Sequence, residues 1–351
     1  MSNSAVVGAQ PPGARSRLGG LALLLLIVTA LFYYKWGGSL RVLAAVGDTG
    51  RLAVSPARLL EGGLVAGTRF YFGKIWPALT YGILVGAAVR AAIPARWIRR
   101  WLGDGATRPT FLGVLVGAPL MLCSCCVTPI FSGLYERGAR LGPALAVMLA
   151  SPGLNVAALV LTFALLPMRV AFLRLGAAAL IVFALPAIVG RVLDRPRANP
   201  EAAACDVPAS AADEDPSDDM RPAALAVRFG KSIVYMTAIT VPLIFVGVLL
   251  SGLIMPYVTS LTPTGVVITV AVVALVATCV ALPTFFEIPI ALMLLAAGAP
   301  LGAAVAFVVA GPIVNLASLF VLGRETRPRV AVSVAAGVWV VATVSGLLST
   351  F

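Results

Sequence analysis

Three cysteines stand within four residues at Cys123-Ser124-Cys125-Cys126, followed by Val127-Thr128-Pro129. Thiolates are soft ligands that suit soft, thiophilic metals and metalloids. Cys123 and Cys126 are three apart and share a helix face; Cys125 points elsewhere while the helix stays regular. Loosening of the chain at Pro129 would turn Cys125 inward, so all three thiols are candidate substrate or metal ligands. The Cys123-x-x-Cys126 spacing is also that of a thiol–disulfide redox pair. That motif usually opens a helix at an accessible position. Here Cys123 falls ~18 Å along a helix that starts at Phe111, the first residue of a charge-free run to Tyr135. Cysteine also serves as a small buried hydrophobe, which is reading enough for Cys279 alone, and Cys205 has no evident partner in the sequence.

Glu287 is the second candidate. It is the one charged residue between Ser232 and Gly323, and an ionisable group within a span is expensive and by default functional. Buried, it would couple transport to protons or bind substrate. If Pro283–Gly298 instead reached the surface, it would be an ordinary wet carboxylate.

Both candidates sit beside prolines that recur at a fixed spacing. Setting residue i beside i+160 aligns Pro129–Leu161 with Pro289–Val321 without a gap, and 14 of 33 positions are identical. Pro129 meets Pro289, and Pro152-x-x-Asn155 meets Pro312-x-x-Asn315. A proline cannot donate to the carbonyl four residues before it, so these four positions predict helix breaks. Freed carbonyls inside a membrane need partners, and Asn155 and Asn315 are near enough to supply them. Ser151 is an alternative cap for a half-helix starting at Pro152, whose N–H groups would face an anion. A plain proline kink eased by a neighbouring side chain is the blander account. Interrupted helices at matching positions of two repeats are the sequence pointer to a transporter's midplane site.

The elements that must carry these residues are membrane spans. The chain has 351 residues, 60% hydrophobic and 11% charged, and uncharged runs cover Phe111–Tyr135, Leu141–Met168, Ser232–Phe286, Ile288–Gly323 and Val330–Phe351. Runs beyond ~18 apolar residues read as transmembrane helices. Without strand alternation they exclude a membrane β-barrel. The prediction is an all-α, polytopic integral membrane protein with about nine transmembrane helices and two internal repeats of about four helices each. The net charge of +12 lies mostly in loops beside spans, where Lys and Arg set topology, so no nucleic-acid partner is expected. Membrane lipid is the expected surrounding, and the oligomeric state is open. Histidine is absent, which removes the usual zinc ligand and proton shuttle.

In order, residues 1–60 form a polar tail and a first span, and 61–193 form the first repeat. Residues 194–224 form a disordered acidic linker, and 225–351 the second repeat. Asp194 to Asp219 holds 8 of the 14 acidic residues with four prolines, a composition that cannot bury a core. Arg169 and Arg174 read as a basic loop opening the fifth span.

Cys123-Ser-Cys-Cys-Val-Thr-Pro129, Arg137-Gly-Ala-x-Leu-Gly142 and Ala150-Ser-Pro-x-x-Asn155 resemble the bacterial predicted permease family that includes the organoarsenical exporters. Pro283-Thr-Phe-Phe-Glu-Ile-Pro289 and Ala310-Gly-Pro-x-x-Asn315 resemble the second half of one branch. The usual family form is a Cys-Ser-Cys-Gly stretch, so Cys126 stands where glycine is common. The resemblance covers roughly residues 70–350 and implies a multi-pass permease of the bacterial cytoplasmic (inner) membrane, with methylated arsenic as one substrate. Residues and resemblance together predict a secondary exporter of a small thiophilic species, rather than an enzyme. It would use Cys123, Cys125, Cys126 and Glu287 at the substrate, and Asn155 and Asn315 at the broken backbone. No nucleotide-binding motif stands in the sequence and no cofactor is expected, so an ion gradient would drive it unless a separate ATPase subunit assists. The alternative is a membrane thiol–disulfide oxidoreductase acting through Cys123 and Cys126; a non-catalytic membrane scaffold would leave these residues without a role.

Overall fold

The structure, a computed structural model, describes residues 14–49, 63–93, 95–103, 108–194, 222–259, 265–282, 286–296 and 298–350. The predicted polar tail falls mostly, and the acidic linker almost wholly, outside the described residues. Every described element is helical.

The longest helices are those expected of an uninterrupted apolar run. We label Gly63–Ala92 α2, Met168–Leu193 α8, Pro222–Thr259 α9 and Pro328–Leu348 α14; Ala14–Thr49 is α1. At 1.5 Å per residue, the 26 residues of α8 extend about 39 Å, enough for a hydrocarbon layer of about 30 Å. Leu141–Leu165, Met168–Leu193, Ala226–Val246 and Pro328–Leu348 combine crossing length with apolarity; the pair Leu301–Ile313 and Leu316–Glu325, bent by 43°, reaches crossing length only as one broken span. The protein is thus an all-α, polytopic membrane protein.

At the centre lie shorter helices: α4 (Arg108–Gly117), α5 (Ser124–Glu136), α6 (Leu141–Gly153), α7 (Val156–Leu165), α10 (Val266–Cys279), α11 (Glu287–Ala296), α12 (Leu301–Ile313) and α13 (Leu316–Glu325). A helix apolar on all sides has no solvent face and belongs inside. Every residue of α6 is buried, as are nearly all of α12. The starts of α6, α7 and α8 at 141, 156 and 168 stand 160 residues before those of α12, α13 and α14. α6 packs between α4 and α8, and α12 between α10 and α14, while α8 and α14 pack on each other. Between α2 and α3 (Ala95–Leu102) the chain turns; Trp97 and Trp101 are exposed on α3 beside Arg99 and Arg100.

The structure corrects two readings of the central run. Residues 111–135 are not one helix: α4 ends at Gly117, a short 3-10 turn spans Ala118–Leu120, and α5 starts at Ser124. The break therefore ends at Cys123, ahead of Cys125 and Cys126, and Pro129 lies within α5. Pro119, at the second position of the 3-10 turn, is the disruptive proline, because it cannot donate to the Leu115 carbonyl. Pro289 is likewise inside α11, in the first turn, where a missing N–H removes no helical bond. Pro152 and Pro312 each stand one residue before the end of α6 and α12.

α5 is held against α2 by a glycine seam. A Cβ on Gly82 would lie 2.0 Å from the Cys126 carbonyl oxygen, and one on Gly86 would lie 2.4 Å from that of Pro129. Only glycine lets backbones approach so closely, the small-xxx-small device of membrane helices. Gly82→Ala should destabilise the protein by about 1–3 kcal/mol, as overpacking does. It should lower the thermal unfolding midpoint in detergent, whereas Gly176→Ala, where a Cβ meets nothing within 4 Å, should leave the midpoint unchanged or raised. Equal midpoints for the two variants would contradict the seam.

Candidate functional site

A backbone that stops being helical inside an apolar core exposes N–H and C=O groups with no water to take them. The stretch Met121–Cys123 is such a place, with Met121 in the left-handed region (φ 49°) and Cys123 extended as the N-cap of α5. Three of these groups meet side chains from the α6–α7 junction, and the Cys123 carbonyl accepts from the Cys126 and Val127 N–H groups of α5 itself. Ser151 accepts from the Leu122 N–H at 2.9 Å and donates to the Leu122 carbonyl at 3.4 Å. The Asn155 amide donates to the Met121 carbonyl at 3.4 Å, and its oxygen caps α7 by accepting from the Ala158 N–H at 3.2 Å. Asn155, not Ser151, is therefore the cap; Ser151 still lies within α6 and is spent on the neighbouring break.

Asn315 repeats this part in the second half and extends it. Its oxygen accepts from the Ser318 N–H at 2.9 Å, and Ser318 Oγ accepts from the Asn315 N–H at 3.0 Å, a reciprocal capping box. The Asn315 amide then crosses to the start of α5, donating to Ser124 Oγ at 2.7 Å and Cys125 Sγ at 3.1 Å. One asparagine thus caps its own half-helix and ties down the start of another, 190 residues away in sequence.

The thiols divide accordingly. Cys123 and Cys126 face each other with sulfurs 2.8 Å apart, beyond the ~2.05 Å of a disulfide bond, and both are buried. Cys125 turns to Asn315. The expected set of three thiols on one point is not assembled: among the described residues, no three His, Cys, Asp or Glu side chains gather as a metal-binding group. The reason is the helical register, since α5 is regular through Pro129 and holds Cys125 on a different face. The Cys123–Cys126 pair also lies at a helix start rather than in mid-helix.

Glu287 is buried at 2% exposure and opens α11. Its partner is a residue whose surroundings in the sequence read as a basic loop. Arg174, on α8 and 2% exposed, donates to Glu287 Oε1 at 2.9 Å and also to Thr162 Oγ1. Thr162 in turn donates to the Ala158 carbonyl at 2.7 Å. Arg174 lies six residues into its helix, about 9 Å from the start, which places it inside the protein rather than at a span's edge. Its signal in the sequence was asymmetry: Arg169 has Arg329 160 residues on, whereas Arg174 has Val334.

These parts enclose a small cavity of about 10 Å³, the space of roughly one water-sized sphere. The first half lines it with Leu122, Cys123, Pro152, Asn155 and Ala158, and the second with Leu282, Glu287 and Pro312. Of the predicted site residues, it thus joins Cys123, Glu287, Asn155, Pro152 and Pro312. Cys126 stands behind Cys123, Cys125 and Asn315 pair beside it, and Pro129 and Pro289 lie outside the lining. The starts of three helices, α5, α7 and α11, converge on this cavity.

A family model described as a predicted permease matches residues 68–351. The UPF0718 protein YraQ of Escherichia coli (strain K12) is 27% identical over 317 residues, covering 88% of this chain and 87% of that protein. The UPF0718 protein MJ0584 of Methanocaldococcus jannaschii is 30% identical over 82 residues, 23% of this chain and 22% of that protein. No solved structure matches the chain.

The cross-half tie has a direct thermodynamic test. Asn315→Ala should cost about 1–3 kcal/mol through the lost cap and the lost amide bonds. In a double-mutant cycle with Ser124→Ala, the two effects should couple by about 0.5–1.5 kcal/mol. Additive effects in thermal unfolding would show that the bond contributes nothing.

Proposed function

This chain belongs to the predicted permease family, and from that premise we propose that it is a secondary exporter of a small thiophilic metal or metalloid species, such as a trivalent organoarsenical. It works from the inner membrane of a bacterium, with the solute bound at the cavity between the two halves. The observation that carries this reading is the shared cavity: a thiol from one half and a carboxylate from the other line one space at the broken helices. Two internal repeats meeting at such breaks are how many transporters build a midplane site. The Cys123–Cys126 pair supplies two soft ligands, which suits a solute with two exchangeable positions. With about 10 Å³ of room, the space is smaller than the proposed solute, so turnover requires one wall of the cavity to move. Without a nucleotide-binding motif in the sequence, an ion gradient is the proposed driver.

The sulfur separation also favours a second reading, a membrane thiol–disulfide oxidoreductase, because the pair stands at a helix start as redox pairs do. Its burial favours the permease, since a redox partner's thiol would have to reach it.

Uptake of arsenicals and soft metals by inside-out vesicles separates the two. Cys123→Ala, Cys126→Ala and Glu287→Gln should each lower transport at least about tenfold, equivalent to ~1.4 kcal/mol of lost binding. Cys125→Ala should lower it less, because that thiol faces Asn315. Unchanged flux in all four variants sinks the site. Redox cycling of Cys123–Cys126 without solute flux would favour the oxidoreductase.

A further inference from the structure

Glu287 is a buried carboxylate in the wall of the cavity, the usual makings of a cation site. Its surroundings argue otherwise. Arg174 Nη2 lies 2.9 Å from Glu287 Oε1, with both side chains at 3% exposure or less. The guanidinium is fixed from behind by Thr162, which is itself anchored to the Ala158 carbonyl. Arginine does not lose its proton in proteins, so this charge is permanent. Two opposite charges at this distance leave no net charge for a solute to answer. We propose that Arg174 is a specificity-determining residue of the cavity: by neutralising Glu287 in place, it sets the cavity to accept a solute that carries no net charge on entry. This inference rests on the permease reading of the cavity and narrows it to uncharged species. It sets aside oxyanions and free metal cations.

The argument is one of magnitudes. A unit charge added to a dry site costs several kcal/mol unless it is compensated there. With Glu287 already satisfied by Arg174, a cation gains little from the carboxylate, and an anion finds the guanidinium taken. The N-terminal ends of α5, α7 and α11 bring partial positive charge, but Asn155 already occupies the end of α7 and Glu287 that of α11. What remains for a solute is the Cys123 thiol and polar contact with Asn155 and Glu287. An uncharged, hydroxylated or thiol-exchanging molecule can use these without breaking the ion pair. Removing one partner changes this completely. Glu287→Gln leaves the cavity with a permanent positive charge, and Arg174→Gln together with Glu287→Gln returns it to neutrality.

Thiol reagents that differ only in charge read this directly. In a chain with Cys125, Cys126, Cys205 and Cys279 replaced by serine, Cys123 is the sole target. Its rate of modification is measured in proteoliposomes with a neutral, a cationic and an anionic methanethiosulfonate, each normalised to a small thiol in water. With Glu287 and Arg174 intact, the neutral reagent should be fastest and the two charged ones within a few-fold of each other. Glu287→Gln should favour the anionic over the cationic reagent by at least about tenfold, the scale of one unit charge at short range in a protein. The double variant should return the ratio to its starting value. A tenfold preference for either charged reagent with the pair intact overturns the proposal, even if Glu287→Gln fails to fold. So does a Glu287→Gln ratio unchanged from the parent. Failure of all three reagents to reach Cys123 removes the cavity from any solute path, and this inference with it. Absent arsenical flux with reagents still discriminating by charge would instead refute only the arsenical as substrate.

Discussion

Everything in this protein depends on how a broken backbone is satisfied where water cannot help. Three residues, Met121 to Cys123, leave the helix in the middle of an apolar run, and Ser151 and Asn155 take up the Leu122 N–H and the Met121 and Leu122 carbonyls. Asn315 holds the start of α5 from the opposite half by donating to the Ser124 and Cys125 side chains. An unmade hydrogen bond in such surroundings costs the full desolvation of the group, so these side chains are not interchangeable with apolar ones of similar size. The geometry they hold is what turns Cys123 towards the cavity and leaves Cys125 against Asn315.

The second constraint is electrostatic. A buried ion pair is poor evidence for stability, because an apolar contact of the same volume often does as well. The Arg174–Glu287 pair is therefore better understood by its position than by its energy. It joins α8 to α11, and hence the two halves, and one of its members lines the cavity. Ionisable groups within a membrane protein's interior are costly and mark functional paths. The Asn315 tie and this ion pair hold the two halves together across the same small space, so any opening of the cavity strains one or both.

The sequence was most legible where composition alone decides. Long uncharged runs mark α6–α7 and α14 as membrane-spanning, and the coincidence of Pro152-x-x-Asn155 with Pro312-x-x-Asn315 points to the two junctions where helices end and begin. It was least legible inside Phe111–Tyr135. There Pro119 ends the first helix by withholding a donor from the Leu115 carbonyl, whereas Pro129 is carried inside α5. Whether a proline bends, ends or merely rides in a helix depends on which neighbours can take the orphaned groups, and Ser151 lies 29 residues away in sequence. Arg174 was misread for a related reason. Near the start of a span, an arginine at the interface and one aimed inward have the same local sequence, and only the contact with Glu287, 113 residues on, separates them.

The central proposal is that Cys123 and Cys126 together hold the solute at the broken helix. X-ray absorption at the arsenic edge, on purified protein loaded with phenylarsonous acid, measures this at the atom concerned. The account predicts two sulfur neighbours per bound arsenic, lost when Cys123 and Cys126 are both replaced by alanine and kept in Cys125→Ala. Arsenic with only oxygen neighbours, or sulfur neighbours that survive the loss of both Cys123 and Cys126, would contradict it.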